Sequence, residues 1–365
     1  MKFVKDKIFR LRASVALVYT NKILNLFKTN VRENIFLEID YDEIIDLLFE
    51  FDGKNSIEEV STKKNIDLEV LINLIDFLVK KNILIEIDKK YQAKLIEEKY
   101  RLINFLEDYC YKTSEVLYKI ENLKTKKVLI IGMGAVGSWM VDLLARDGVK
   151  NFIIVDDDIV EISNLHRQDL YFEDDIGKYK VDCIETKLKE INQNIQVVKI
   201  KKKLTKDFFD YFNHQCDLVI NCADFPSVDF TTNIVGKYCM QKNIPHIIGG
   251  GYNLHLTLIG QTVLPYKSAC YKCFDSRLKV INEIDIKGLK KLHREKRKLG
   301  SFAPLSTIAA SVSVLDAFKI LCGLDNYVVN SSKRIEFRIR EMDFEIMQIP
   351  RNGNCIECGK ESICK

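Results

Sequence analysis

Apolar and polar positions alternate through SVALVYT, KILNLF and IFLEID, the period-2 pattern of half-buried strands. The period then lengthens. In YDEIIDLLFEF an apolar stripe recurs at helical spacing and stops at Gly53; Ser56 with Glu59 forms a capping box for SIEEVSTKK; Leu71, Leu74, Ile75 and Leu78 line one face of a third helix. The run ILIEI reads as a closing strand. Three strands, three helices and a strand predict a small winged-helix-like α+β domain over residues 1–90, without paired catalytic residues of its own. A polar, amphipathic helical stretch over 91–122 links it to the remainder and is a candidate dimer contact.

A different pattern starts at about residue 123. KKVLIIGMGAVGSWMVDLLARDGVKNFIIVDDD reads as strand, Gly-rich turn, helix and strand, the first unit of an α/β, doubly wound, mostly parallel Rossmann-like sheet. QVVKIK, CDLVINCAD and PHIIGGG supply later strands, separated by helices over KVDCIETKLKEIN and FTTNIVGKYCMQKN. After Gly260 the pattern changes again. LIGQTVLP and the alternating KRIEFRIREMDFEIMQI predict antiparallel strands flanking a helix over LSTIAASVSVLDAFKILCG, so residues 123–365 form one large domain.

Composition narrows the class. Hydrophobic content of 47% with 30% charge suits a globular chain. No run of about 18 apolar residues exists, and MKFVKDKIFRLR lacks the apolar core of a signal peptide, so the expectation is a cytoplasmic protein without a membrane span. A net charge of +4 from 56 basic and 52 acidic residues is too mixed for a nucleic-acid protein. The basic segment 287–300 is the local exception; a solvated charged loop is its plainer reading, a mobile lid over the site the sharper one. Eleven cysteines, an odd count, argue against a disulfide framework. Four of them fall in two CxxC pairs, Cys270/Cys273 and Cys355/Cys358, which supply the four soft ligands of a tetrahedral structural zinc with no position left open for water.

Gly132, Gly134 and Gly137 in GMGAVG allow a tight turn, close approach to a phosphate and close helix-to-strand packing. Asp156 ends the second strand, where an acid can bind ribose hydroxyls. NAD enzymes and ATP-binding relatives share that much. Cations are what distinguish them, because nucleotidyl transfer must neutralise a triphosphate and its pyrophosphate leaving group. Arg167 and Lys180 are the candidates.

SNLHRQ followed by GKYKVD resembles the signatures of the ubiquitin-activating-enzyme superfamily in its bacterial ThiF/MoeB form. The resemblance runs from about residue 100 to 360 and takes in GMGAVG, DDDIVEISNLHRQ, GKYKVD, NCAD, CYKC, FAPLSTIAA and CIECG in order. It implies adenylation of a C-terminal carboxylate with ATP (CTP being the alternative) and Mg²⁺. Asp156 would hold ribose, Arg167 and Lys180 the phosphates, and Asp224 the magnesium, with Asp158 and Asn164 supporting the polar cluster. It also implies a homodimer that lends an arginine across its interface, for which Arg101 is a loose match.

The chain departs from the sulfur-carrier pattern. Where many members place a cysteine, this chain has Lys296, and no cysteine occurs between Cys273 and Cys322. Asp224 is followed by Phe225 and Pro226, and the arginine expected five residues on is Asp229. CADFPSVDFTTNIVGKYCMQKNIPHIIGGGYN and GSFAP resemble instead the MccB branch, which nucleotidylates the C-terminal asparagine of a short ribosomal peptide in the making of microcin C-type antibiotics. The first ninety residues resemble the PqqD-like leader-binding domain, which accepts a peptide as an added strand. Two other readings stay open: an activator of a ubiquitin-like sulfur carrier, and a non-catalytic partner that presents leader peptides to a cyclodehydratase.

Overall fold

The computed structural model describes residues 5–281 and 300–359. Lys296 and all of the basic segment 287–300 except Gly300 lie outside them. The chain divides into two compact units, Met1–Glu121 and Asn122–Lys365, so residues 91–121 count with the first.

In the first unit the three expected strands, β2 (Val15–Thr20), β3 (Ile23–Lys28) and β4 (Glu33–Glu38), form an antiparallel meander. Two strands were not foreseen. β1 (Ile8–Leu11) runs between β5 (Asp52–Ser56) and β6 (Leu84–Glu86) in a second sheet. IFRL is too short to show a period, and DGKNS has no β propensity; partners distant in sequence make both into strands. Accordingly the helix α1 (Ile44–Phe49) stops short of Gly53, which takes φ +85° within β5. The capping box on α2 (Ile57–Lys64) forms as read: Ser56 Oγ accepts from Glu59 N–H at 3.3 Å, and Glu59 Oε2 accepts from Ser56 N–H at 2.7 Å. Leu71, Ile75 and Leu78 of α3 (Leu68–Lys80) are buried and Leu74 is partly buried in one core with Leu24, Leu26 and Leu48. The helix α4 (Ala93–Glu107) is tied down by charge. Buried Glu107 takes the Arg10 guanidinium at 2.5 Å and the Tyr91 hydroxyl at 2.9 Å, while buried Arg12 donates to the carbonyls of Glu107 and Cys110.

The second unit is built on a six-stranded sheet. It contains β7 (Lys127–Ile131), β8 (Asn151–Val155), β9 (Gln196–Ile200), β10 (Leu218–Asn221), β11 (His246–Ile248) and, farther along, β14 (Gln261–Val263), in the order β14-β11-β10-β7-β8-β9. All neighbours are parallel except β11 and β14. This is the doubly wound order, with its reversal between β7 and β10. A separate antiparallel sheet joins β12 (Gly251–Asn253), β13 (Leu256–Leu258), β15 (Lys333–Arg338) and β16 (Asp343–Gln348). Among the helices, α5 (Thr113–Thr125) carries the chain across the unit boundary, and α6 (Ala135–Asp147), α7 (Lys180–Ile191) and α8 (Val228–Lys242) follow β7, precede β9 and precede β11. α9 (Tyr271–Ile281) and α10 (Ala303–Leu321) complete the described helices. By length and composition α10 could cross a membrane, but Leu305, Ala309, Ala310, Ala317 and Leu321 on it are buried within the protein.

Candidate nucleotide site and cysteine cluster

Ligands of doubly wound sheets lie outside the carboxyl ends of the strands, near the order reversal. Here β7 is followed by Gly132, whose φ is +90° and whose N–H donates to Val155 O at 2.8 Å. A Cβ on Gly132 would stand 2.7 Å from the Ala223 nitrogen, and one on Gly137 would stand 1.9 Å from Gly132 O. Those two glycines are required by packing. Gly134, the N-cap of α6, is different: a Cβ there meets nothing within 4 Å, and no side chain caps the helix. The first turn of α6 thus offers N–H groups unpaired among the described residues at an open face, the arrangement that suits a phosphate.

Asp156 follows β8. Its Oδ2 accepts from Met133 N–H at 2.5 Å and its Oδ1 from Asp158 N–H at 2.7 Å. Burial pushes this carboxyl above its ordinary range, against the pull of Lys180 and the two backbone donors. Asp158 in turn holds Lys180 at 2.9 Å; the lysine side chain is 5% exposed and that of Asp158 is 64%, so the ammonium is reached from the Asp158 side. Asp156, Met133, Asp158 and Lys180 are therefore one bonded cluster. Carboxylate oxygens of Asp156, Asp157 and Asp158 lie within 4.8 Å of one another and could serve a hard cation. Beside them a cavity of about 940 Å³ opens at the end of β9, lined by Lys199, Lys201, Lys202, Lys203 and Tyr211 among others. Its wall is joined to Asp156, whose N–H donates to Ile200 O at 3.2 Å.

The remaining sequence-derived residues stand in various relations to this cluster. Arg167 is turned onto its own loop: its guanidinium donates to Ser163 O and lies 3.2 Å from His166 Nε2. Its carbonyl accepts from Trp139 Nε1 and Ser306 Oγ, both at 3.3 Å. Asn164 is buried, and its Oδ1 accepts from Glu161 N–H at 3.0 Å, so that oxygen shapes the 162–164 turn. Asp224 is exposed just beyond β10, one residue from the Ala223 nitrogen that crowds Gly132. Arg101 belongs to the first unit, on α4, exposed and bonded to Tyr100 Oη at 2.9 Å. One contributor has no motif to reveal it: Tyr171, buried, donates its hydroxyl to Met133 O at 2.8 Å. A lone tyrosine in a loop gives no periodic or spacing signal.

The four CxxC sulfurs converge from the start of α9, with Cys270 just before it, and from the turn at residues 355–358. Cys270 lies 3.9 Å from Cys273 and 3.6 Å from Cys355, Cys273 lies 3.5 Å from Cys358, and all four fall within 4.8 Å of one another. A tetrahedral zinc with bonds of about 2.3 Å requires sulfurs about 3.8 Å apart, so the cluster could hold that ion. Asn352 N–H donates to Cys273 Sγ at 3.4 Å, and Arg351 Nε to Cys358 O at 2.8 Å, which orients the second knuckle.

The ThiF family profile matches residues 111–357. The molybdopterin-synthase adenylyltransferase of Escherichia coli is 29% identical over 243 residues, 66% of this chain and 90% of that protein. A crystal structure of Escherichia coli MccB with ATP is 25% identical, covers 96% of this chain and 99% of its own, and superposes with a TM-score of 0.75. MccB with AMPCPP and MccA matches with the same identity, coverage and TM-score. The chain belongs to the ThiF family, and its enzyme class is nucleotidyltransferase.

Proposed function

We propose that this chain transfers a nucleotidyl group from ATP to the C-terminus, in the first instance an asparagine, of a short ribosomally made peptide, with pyrophosphate as leaving group. The observation that carries the reading is the extent of the likeness. MccB matches 96% of the chain, both units included, whereas the molybdopterin-synthase enzyme matches 66%. The crystal structures of MccB with ATP and with MccA suggest the two substrate classes.

Each residue has a role under this reading. The first turn of α6 and the Gly134 face take the phosphates, and Asp156 the ribose, with the base toward the β9 cavity. Lys180 exchanges Asp158 for phosphate oxygens, and Arg167 swings from Ser163 to join it, so positive charge meets the charge building on pyrophosphate. The peptide's carboxyl or amide nitrogen attacks the α-phosphorus in line, and the bond to the bridging oxygen breaks. Asp224 would hold Mg²⁺, which when bound supplies further neutralisation of the triphosphate. Zinc, held by Cys270, Cys273, Cys355 and Cys358, is structural. Within the first unit the outer edges of β2 and β4, unpaired among the described residues, are where a peptide would add as a strand. A second copy would supply Arg101.

A sulfur-carrier acceptor is the second reading, favoured by the molybdopterin-synthase likeness and opposed by the absence of cysteine between Cys273 and Cys322. The test is incubation with MgATP and a panel of Asn-ended peptides, following pyrophosphate and peptide mass. A gain of one nucleotidyl group on a peptide is expected; no pyrophosphate with any of them overturns the reading.

A further inference from the structure

Met133, between the first two glycines of the nucleotide loop, is fully buried, and both of its backbone hydrogen-bonding groups are held. Its N–H donates to Asp156 Oδ2 at 2.5 Å, and its carbonyl accepts from Tyr171 Oη at 2.8 Å. Tyr171 reaches it from the loop between β8 and α7, directly after Leu170, which has φ +64°. Its side chain lies in the interior, the residue being 5% exposed.

One property of the peptide bond turns this contact into an aiming device. Among the described residues the cis bond is Phe225–Pro226, so the Met133–Gly134 peptide is trans. A trans peptide is a rigid plane whose C=O and N–H point in opposite directions. Holding the Met133 carbonyl toward a buried hydroxyl therefore turns the Gly134 N–H away from the interior. That is the side on which a Gly134 Cβ would meet nothing within 4 Å, and among the described residues the Gly134 N–H has no hydrogen-bond partner.

We propose that Tyr171 is a positioning residue of the nucleotide site: its hydroxyl holds the Met133 carbonyl inward and so aims the Gly134 N–H at the phosphates. The inference rests on the nucleotide reading above. The ring fills space that a phenylalanine would fill equally; of the side chain, the oxygen is what reaches the Met133–Gly134 peptide. Burial, and then the neighbouring Asp156, raise the phenol's pKa well above its ordinary value, so the hydroxyl stays a donor at neutral pH. Asp156 acts on the same residue from the other end, so the carboxylate and the phenol together leave the loop one orientation.

Tyr171→Phe in the full chain removes one atom. ATP affinity is measured by calorimetry without peptide, well below the melting midpoint of either protein, alongside the midpoints themselves and KM and kcat for ATP. We expect the Kd and KM for ATP to rise roughly threefold to tenfold, the effect of one net hydrogen bond, with kcat near the parent's. Parent affinity in the variant, whether its midpoint falls or not, overturns the proposal and leaves Tyr171 a packing residue. A parent chain that binds no ATP is a different failure: it sinks the nucleotide reading, and this inference with it.

Discussion

Adding a methyl at Gly134 separates binding from folding. Gly134 sits at φ −79° and ψ −155°, extended backbone that alanine adopts, and its Cβ would meet nothing within 4 Å. Gly134→Ala therefore leaves the fold intact, and loss of freedom in the unfolded chain stabilises it by about 0.4–1 kcal/mol. The same methyl occupies the open face at the start of α6. If a phosphate belongs there, at least one charged hydrogen bond from the loop is lost, worth about 1.5–3 kcal/mol, or roughly 10- to 150-fold in affinity. Gly132→Ala behaves in the opposite sense. At φ +90°, with a Cβ 2.7 Å from the Ala223 nitrogen, it costs about 1–2 kcal/mol for the left-handed backbone and about 1–3 kcal/mol for overpacking. Urea unfolding and ATP titration of both variants complete the test. A Gly134→Ala protein that melts like the parent and binds ATP as tightly would refute a phosphate site at this turn.

Other outcomes are expected from the same structure. The purified chain carries one zinc by elemental analysis, and chelation or Cys273→Ser lowers its melting midpoint; four freely reacting thiols in the untreated protein would argue against a bound ion. Glu107→Ala leaves Arg10 without its carboxylate and the Tyr91 hydroxyl without its acceptor, while the backbone carbonyls that receive Arg12 stay; it destabilises the first unit by about 2–4 kcal/mol in urea, and a loss below about 1 kcal/mol would show that water replaces the pairing. Burial lowers the His246 imidazole to about 4 from 6.5. The native state then binds fewer protons than the unfolded chain, so stability is whole above about pH 6.5 and falls as pH drops toward 4, by about 2 kcal/mol at pH 5. His246→Leu removes that slope, and an unchanged slope in the variant would assign it to other groups.

Local chemistry was legible along the chain. The Ser56–Glu59 capping box, the spacing of Leu71, Ile75 and Leu78, the glycine fingerprint between two apolar strands and the paired CxxC units all act through neighbours a few residues away. Their geometry follows from short-range spacing: the cap forms, Leu71, Ile75 and Leu78 are buried, the glycines turn the strand into a helix, and each CxxC brings two sulfurs to one cluster. The family resemblance, carried by SNLHRQ, GKYKVD and the cysteines, was legible for the same reason. What stayed hidden depends on residues brought together from afar. DGKNS becomes a strand only because β1 offers it a ladder. Arg12 is buried because carbonyls 95 and 98 residues away receive it. Of three glycines that look alike in GMGAVG, two are fixed by the backbone of residues far off or a turn away, and one faces open space. The sequence alone determined that a glycine turn joins strand to helix from Gly132 and that four cysteines stand in two CxxC units. Tertiary structure alone decided that Tyr171 holds that turn and that Lys180 rests on Asp158, because a hydrogen bond between loops is set by packing rather than by spacing.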